Sequence, residues 1–488
     1  MVHCFSINGT NIALDVNSGA IHVLDDLAYE LLADEKYRNP ENDQNPPKTP
    51  SSPGLQATQQ EIAKLQAKGQ LFSPEPNKQR AIAKAQNRQQ VIKALCLHIA
   101  HDCNLRCEYC FAGDGDYGTI AKSVMPPEVA KKAVDFLIKH SGNRHNLEID
   151  FFGGEPTLNF DTVKQTVAYA KQQEKQHNKH IRFTLTTNGV LLDNDKISYI
   201  NEHIDNVVLS LDGRKEVNDK MRKTASQSQN KNQNKSSYDV VVPKFLALVA
   251  ARAAHSNKSN NSNKSYYVRG TFTAENLDFT NDVKHLQSLG FTQISVEPVI
   301  GPFSAKYSIK EQDVPIVCAE YEKLATEMAE QAKRTKAEKN GKSPKNTDNT
   351  DNTDNTAKKE LNFFHFNLNL HKPPCAAKRI TGCGAGAEYL AVTPEGNLFP
   401  CHQFVGDNAF CLGNLDDGII NTVGKFSECN IYNKPDCDAC WAKYFCGGGC
   451  AANAYHLNNN IMQPDKIGCD LQRKRTECAI YLAVARAM

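Results

Sequence analysis

Cys103-Asn104-Leu105-Arg106-Cys107-Glu108-Tyr109-Cys110 is the stretch on which the reading of this chain turns. Its spacing is C-x3-C-x2-C on one short loop. Three thiolates this close can each take one iron of a [4Fe–4S] cube and leave the fourth iron open to a small chelating ligand. The bland alternative is a zinc site or a redox pair. A structural zinc site takes four ligands, and no fourth donor stands nearby in sequence. The loop follows an apolar run, Ala94 to Ile99, that reads as a strand. Cys96 falls inside that strand and is expected in the core. His98 and His101 flank the loop and are expected to pack or to form hydrogen bonds.

Outward from the loop, strands alternate with helices between residues 92 and 300. Candidate strands are Ala94 to Ile99, Leu147 to Phe152, Ile181 to Thr187, Asn206 to Leu211, Tyr266 to Thr273 and Thr292 to Pro298. Pro127 sits where a first helical turn begins, and Val129, Ala133, Phe136 and Leu137 form an apolar stripe behind it. Repeated βα units predict a parallel sheet, open or curled toward a barrel, with the chemistry at the C-terminal strand ends. Before this region, Phe5 and Ile7 lead through Asn8-Gly9 to Ile12, Leu14 and Val16, a hairpin signal. Ile21 and Val23 follow, then a helix capped by Asp25 or Asp26 that runs through Leu32. A second helix is expected from about Thr58, closed by Gly69. Strands plus two helices suggest a small winged-helix-like unit over residues 1–80. Four polar, Asn-rich stretches, Asn39 to Pro53, Ser226 to Ser237, His255 to Ser265 and Arg334 to Thr356, cannot bury enough apolar area to offset chain entropy and are expected to be disordered.

The chain has 488 residues, a length that favours two or three domains. Its net charge of +2 gives no field that would select nucleic acid. No run of 18 apolar residues stands in it, so no membrane span is expected. Met1 to Asn8 lack the features of a secretion signal, and a cytoplasmic location is expected. Seventeen cysteines, an odd number, argue against a disulfide framework there. Most fall in two groups, at 96–110 and 375–478, the clustering that metal binding needs. In the second group Cys383 and Cys401 precede Cys437-x2-Cys440-x5-Cys446-x3-Cys450 and then Cys469, part of a group of eight or more thiolates that begins at Cys375 and suffices for two four-thiolate sites. Zinc ribbons are the alternative.

The loop, with aromatic Tyr109 before its last cysteine, resembles the signature of the radical S-adenosylmethionine (SAM) superfamily. Phe151-Phe152-Gly153-Gly154-Glu155-Pro156 resembles its GGEP motif. Thr186-Thr187-Asn188-Gly189 and Leu209-Ser210-Leu211-Asp212-Gly213 resemble segments that end later strands of the family. The resemblance implies an α/β fold, a partial (β/α)6 TIM-like barrel over 90–310. It implies that Cys103, Cys107 and Cys110 hold a cluster whose open iron binds SAM. Gly153, Gly154 and Glu155 would hold the amino group, Ser210, Thr187 and Asn188 the ribose or carboxylate, and Tyr109 would lie by the adenine. A 5′-deoxyadenosyl radical would then abstract a hydrogen from the substrate. Arg269, Thr271 and Glu297 lie at strand positions from which a side chain can reach the interior or SAM; an ordinary strand-end role is the alternative for each. No general base is identifiable.

The second group closely resembles a SPASM domain, here 371–488 after a helix and linker over 311–370. Carried over, Cys383, Cys401 and Cys450 bind a first auxiliary [4Fe–4S] cluster, with Cys375 a candidate fourth ligand. Cys437, Cys440, Cys446 and Cys469 bind a second, three clusters in all. Cys4, Cys318, Cys411, Cys429 and Cys478 have no place in the pattern. Asn17 to His22, Asp25 to Tyr29, Cys383 to Tyr389 and Pro400 to Gly406 resemble maturases of SCIFF peptides. That likeness implies thioether crosslinks, from cysteine sulfur to a carbon of another residue, in a Cys-rich precursor peptide. The peptide's leader would bind the N-terminal unit by strand addition, and a flavodoxin or ferredoxin would supply electrons. The rivals are a sulfatase-maturase-like enzyme oxidising a Cys or Ser of a protein substrate, and a zinc-stabilised binding protein without redox chemistry.

Overall fold

Alternation of apolar residues lays down the first elements. Strands β1 (Val2–Ile7), β2 (Thr10–Asp15) and β3 (Ile21–Leu24) form an antiparallel sheet in that order, turned at Asn8 and Gly9. Asp25 caps helix α1 (Asp26–Ala33) by accepting from the Ala28 N–H. Helix α2 (Pro53–Ala67) begins several residues earlier than expected. The computed structural model describes residues 1–34, 53–88, 91–118, 122–225, 236–258, 264–302, 304–339, 360–368, 370, 379–421 and 425–488.

Six parallel strands follow in chain order: β4 (Ala94–His101), β5 (Asn146–Gly153), β6 (His180–Thr187), β7 (Asn206–Ser210), β8 (Ser265–Phe272) and β9 (Gln293–Pro298). Each pairs with the next. Helices α3 (Pro127–His140), α4 (Phe160–His177), α5 (Asn194–His203), α6 (Ser237–Lys258) and α7 (Phe279–Ser288) supply the crossovers. On β5 and β6 one face is fully buried, through Leu147, Ile149, Phe151, Ile181, Phe183 and Leu185, and packs in the main core. The alternate positions, Asp150, Phe152, Thr184 and Thr186, are half-buried and look into the open interior of the sheet, which we call the lumen. This period-two split is what a strand's pleat dictates.

The sheet extends beyond the six strands. Asn362–Phe363 adds in parallel to β9. On the other side, β10 (Tyr389–Val392) adds in parallel to β4, and β11 (Asn397–Phe399) turns back antiparallel. One sheet therefore runs across three of the four expected divisions of the chain. Helices α8 (Val314–Lys339) and α9 (Lys466–Ala487) pack along each other.

The four polar stretches expected to be disordered lie largely outside the described residues, but their described margins are ordered. Pro53 opens α2, Ser237 and His255 belong to α6, Ser265 opens β8 and Arg334 belongs to α8. Composition alone does not set these borders, because backbone hydrogen bonds carry each element outward from its buried part. Side-chain bonds add to this at Ser237, which is buried and whose hydroxyl donates to the Arg222 carbonyl at 2.7 Å.

Candidate functional site

The Cys103–Cys110 loop leaves the C-terminal end of β4 and is held from several sides. Leu105–Cys107 pairs antiparallel with Arg222–Thr224. Tyr109 donates its hydroxyl to Asp212 (2.7 and 2.9 Å), just beyond β7. Asp212 is fully buried and also accepts from Arg222 Nη2 at 2.9 Å and from the Thr271 N–H at 2.8 Å. Burial works against the charge of Arg222, but Asp212, Tyr109 and Cys107 outweigh it and hold its pKa above the ordinary arginine value. Tyr109, Asp212 and Arg222 thus form one buried knot behind the loop. The sequence offered Asp212 only as part of a strand-end segment, and no signal there singled out Arg222.

Gly153 and Gly154 end β5 against this loop. A Cβ on Gly154 would lie 2.1 Å from the Asp102 carbonyl oxygen and 3.0 Å from that of Gly115. One on Gly153 would lie 2.4 Å from the Ala100 oxygen. The Gly154 and Glu155 N–H groups donate to the carbonyls of Ala100 (2.8 Å) and Asp102 (2.9 Å). The glycines are therefore needed for chain-to-chain contact, strand end on cluster loop. Glu155, 1% exposed, accepts from the Thr157 N–H (3.0 Å), Thr187 Oγ1 (2.8 Å) and the Asn188 N–H (2.7 Å). Burial raises its carboxyl pKa against these hydrogen bonds. Its side chain clasps the ends of β5 and β6 together. Asn188 Nδ2 reaches Asn104 Oδ1 at 2.7 Å and lies 3.6 Å from Cys103 Sγ. Ser210 stands at the end of β7, in register with Arg269.

The three loop thiols sense one another's charge. Burial pushes Cys103 and Cys107 up to about 12 and raises Cys110. Thiols so placed stay neutral unless a cation offsets their desolvation, and an iron core is such a cation.

Cys96, His98 and His101 are buried, and His98 Nδ1 lies 3.0 Å from His101 Nε2. The His98 ring packs at a tilt against Tyr117 (4.5 Å) and Phe152 (6.1 Å), and Phe152 likewise against His402 (5.0 Å). His402 also meets Phe111 at 5.5 Å. Rings that follow Cys110 and Cys401 in sequence are thus in contact. Burial, then the Arg269 charge, lowers His402 to about 4.

The structure brings the second cysteine set together in two groups. Cys383, Cys401 and Cys450 interact electrostatically with one another. So do Cys437, Cys440, Cys446 and Cys469. Gly447, Gly448 and Gly449, all at positive φ (+74°, +95°, +75°), let Cys446 face one group and Cys450 the other within five residues. Burial raises Cys401 and Cys469 to about 12 and Cys437 to about 11. A cavity of about 740 Å³ is lined by Cys383, Cys446, Cys450 and Cys469, and by Glu297 and Arg475. Among the described residues no three His, Cys, Asp or Glu side chains converge on a single-ion position. A [4Fe–4S] cube does not require that, since each thiolate binds a different iron. Grouped thiols, from the buried Cys401 and Cys437 to the exposed Cys383 and Cys450, beside open space fit such cubes. Cys375 lies outside the described residues. Cys478 is buried, and Cys4, Cys318, Cys411 and Cys429 are half-buried; Cys411 and Cys429 pack against the same core cluster as Cys401.

Residues 97–232, which contain the loop and the ends of β5, β6 and β7, match the family model described as the radical SAM superfamily. The chain carries a radical SAM domain. An uncharacterised protein of Methanocaldococcus jannaschii is 33% identical over 132 residues, 27% of this chain and 42% of that protein, so the match spans less than half of that relative. The radical SAM cyclopropyl synthase TigE of Paramaledivibacter caminithermalis is 22% identical over 424 residues, 83% of this chain and 77% of that protein. A cysteine-type anaerobic sulfatase-maturating enzyme of Clostridium novyi is 31% identical over 128 residues, 26% of this chain and 33% of that enzyme. The structure of native anSMEcpe with bound AdoMet aligns over 81% of this chain and all of that chain, with a TM-score of 0.55 and 19% identity, a likeness of fold. Outside the radical SAM domain, no helix among the described residues, nor any within it, is long and apolar enough to cross a membrane.

Proposed function

We propose that the protein is a radical SAM maturase of a ribosomally made, Cys-rich SCIFF-type precursor peptide and forms intramolecular thioether crosslinks. The observation that carries this reading is the pairing of one three-thiol loop at the strand ends with two further thiol groups beside a cavity. Cys103, Cys107 and Cys110 hold the SAM-binding cluster, which supplies the 5′-deoxyadenosyl radical when loaded and reduced. The Tyr109–Asp212–Arg222 knot and the Glu155 clasp fix the loop. Gly153, Gly154, Thr187, Asn188 and Ser210 form the rim on which SAM is bound. Cys383, Cys401 and Cys450 hold the first auxiliary cluster, with Cys375 the candidate fourth ligand, and Cys437, Cys440, Cys446 and Cys469 hold the second.

Residues 1–80 are the leader-binding unit, and among the described residues β3 is its more open edge. Sheet order leaves β1 and β3 as edges. His3 on β1 stacks on Trp441 at 3.7 Å and bonds Glu477 at 2.9 Å, so β1 is covered. Val23 on β3 is 53% exposed. An unpaired edge of this kind accepts an added strand.

The test is anaerobic. Reconstituted protein should bind about twelve irons, four per cluster, and release 5′-deoxyadenosine from SAM with reductant. With a Cys-rich peptide encoded beside the gene, each crosslink should remove two hydrogens and one thiol reactive to iodoacetamide. Replacing Cys103, Cys107 and Cys110 with alanine should remove about four irons and all SAM cleavage. Two hydrogens lost with every thiol still alkylated would refute thioether formation and favour carbon–carbon ring closure. Zinc in place of iron would refute the whole reading. The likeness to the Clostridium novyi enzyme favours a second reading, oxidation of a Cys or Ser in a protein substrate, which the same mass analysis on a sulfatase peptide would detect.

A further inference from the structure

The radical SAM loop has its own arginines. Arg106 and Arg222 act on the thiols of Cys103, Cys107 and Cys110. Arg269 acts elsewhere. On β8, Val268, Gly270 and Phe272 are buried, while Tyr267, Arg269 and Thr271 face the other way. The Arg269 side chain is 59% exposed, although β8 lies between β7 and β9. A charge on an interior strand of a parallel sheet is ordinarily covered, so this exposure is into the lumen.

Among the described residues the Arg269 guanidinium makes no side-chain hydrogen bond. Its one ion pair, with Glu297, is long at 3.9 Å. Glu297 is already held by His365 Nε2 at 3.0 Å and Ser295 Oγ at 2.8 Å. Arg475, whose Nη1 lies 2.8 Å from His365 Nδ1, also acts on Glu297. Two guanidinium groups therefore face one carboxylate, and the fork of Arg269 is unspent. Next to it, Tyr267 meets Phe364 edge-on at 5.4 Å. Phe364 is 49% exposed and, with Glu297 and Arg475, lines the 740 Å³ cavity that the auxiliary cysteines share.

We propose that Arg269 binds a carboxylate of the peptide substrate in the lumen, so that the enzyme selects an acidic side chain close to its reacting cysteine. This rests on the reading of the protein as a peptide maturase. An arginine fork pairs two parallel N–H donors with a carboxylate. The Tyr267–Phe364 wall supplies apolar contact for the chain that carries it. The methionine carboxylate of SAM has the same chemistry, and Ser210 of the SAM rim is in register with Arg269; the ionisable groups that Arg269 acts on lie instead on β9, at 365 and at 402, and SAM affinity separates the two sources in the test.

The experiment uses the cluster-loaded protein without reductant. Its probes are fluorescein-labelled glycine octapeptides with one cysteine and, three residues later, aspartate, asparagine or lysine. Fluorescence anisotropy should show the aspartate peptide binding the wild type about tenfold more tightly than the asparagine peptide. Arg269→Gln should abolish the difference, and Arg269→Glu should favour the lysine peptide. Affinity for SAM, from equilibrium dialysis, should change by less than about twofold in both variants. Equal binding of the aspartate and asparagine peptides by the wild type, including no binding of either, overturns the proposal. So does a preference that survives in Arg269→Gln, or a tenfold loss of SAM affinity there, which would assign Arg269 to SAM. Failure of the maturase reading shows separately, as a wild-type protein that never cleaves SAM, whatever the peptide ratio.

Discussion

Asp212→Asn tests the knot behind the cluster loop. Asp212 is fully buried and its partner Arg222 is 11% exposed, so the pair is out of water. The substitution keeps the shape and removes the charge. The Arg222 guanidinium would then sit buried without its counterion, and the Tyr109 hydroxyl would lose an ionised acceptor. Removing one member of a buried pair costs about 3–5 kcal/mol. At about 2–4 °C per kcal/mol for a domain of this size, the melting temperature should fall by about 6–20 °C. Tyr109→Phe deletes one hydrogen bond to a charged acceptor and should cost only about 1.5–3 kcal/mol. Asp212→Asn combined with Arg222→Met should recover part of the loss, because no orphan charge remains. Far-UV circular dichroism on anaerobic samples measures all four proteins. A fall of less than about 3 °C in Asp212→Asn, near 1 kcal/mol, would show that the knot does not hold the loop.

Gly154→Ala puts a methyl group 2.1 Å from a backbone oxygen that cannot swing aside; it should destabilise the chain by about 1–3 kcal/mol and deplete the iron bound at Cys103–Cys110, read by iron content in a variant lacking the auxiliary cysteines. Burial, and then the Glu148 charge, raise the Asp150 carboxyl to about 7 against a hydrogen bond from Thr184. The folded chain thus favours the protonated form, and the resulting stability is complete below about pH 4 and lost as pH rises through 7. Asp150→Asn should flatten that decline and exceed the wild type at pH 8 by on the order of 2–4 kcal/mol; parallel pH–stability curves would refute it. Lys443, 4% exposed, bonds Glu75 at 2.6 Å and the Asp438 carbonyl at 2.9 Å. Lys443→Ala should speed proteolysis of residues 1–88 about tenfold, and unchanged cleavage would show that these bonds do not fasten the N-terminal unit.

The six parallel strands were legible because each is an apolar run closed by a distinctive end, such as Gly153-Gly154 or Asp212-Gly213, and their observed borders differ from the expected ones by one or two residues. The hairpin at Asn8-Gly9 and the helix from Pro127 were equally plain. The partition of the second cysteine set could not be read from spacing, since Cys446 and Cys450 stand four apart yet face different groups. Gly153 and Gly154 were legible as a motif, but their close approach to the Ala100 and Asp102 carbonyls was not, since it joins segments some fifty residues apart. Arg222, Tyr117 and His402 were invisible because their importance comes from contacts that no local pattern encodes. The β10–β4 pairing joins residues nearly 300 apart, beyond any periodicity.

That pairing has a practical consequence. All eight residues of β4 are buried, and β10 covers one of its flanks. Cutting the chain before Tyr389 would bare a long, uncharged ribbon of unpaired amides, the kind of border along which chains stack into aggregates. A shortened version lacking the cysteine-rich tail would fail for want of a neighbour, whatever the fate of its iron, so the work of that tail is better dissected by single substitutions than with scissors.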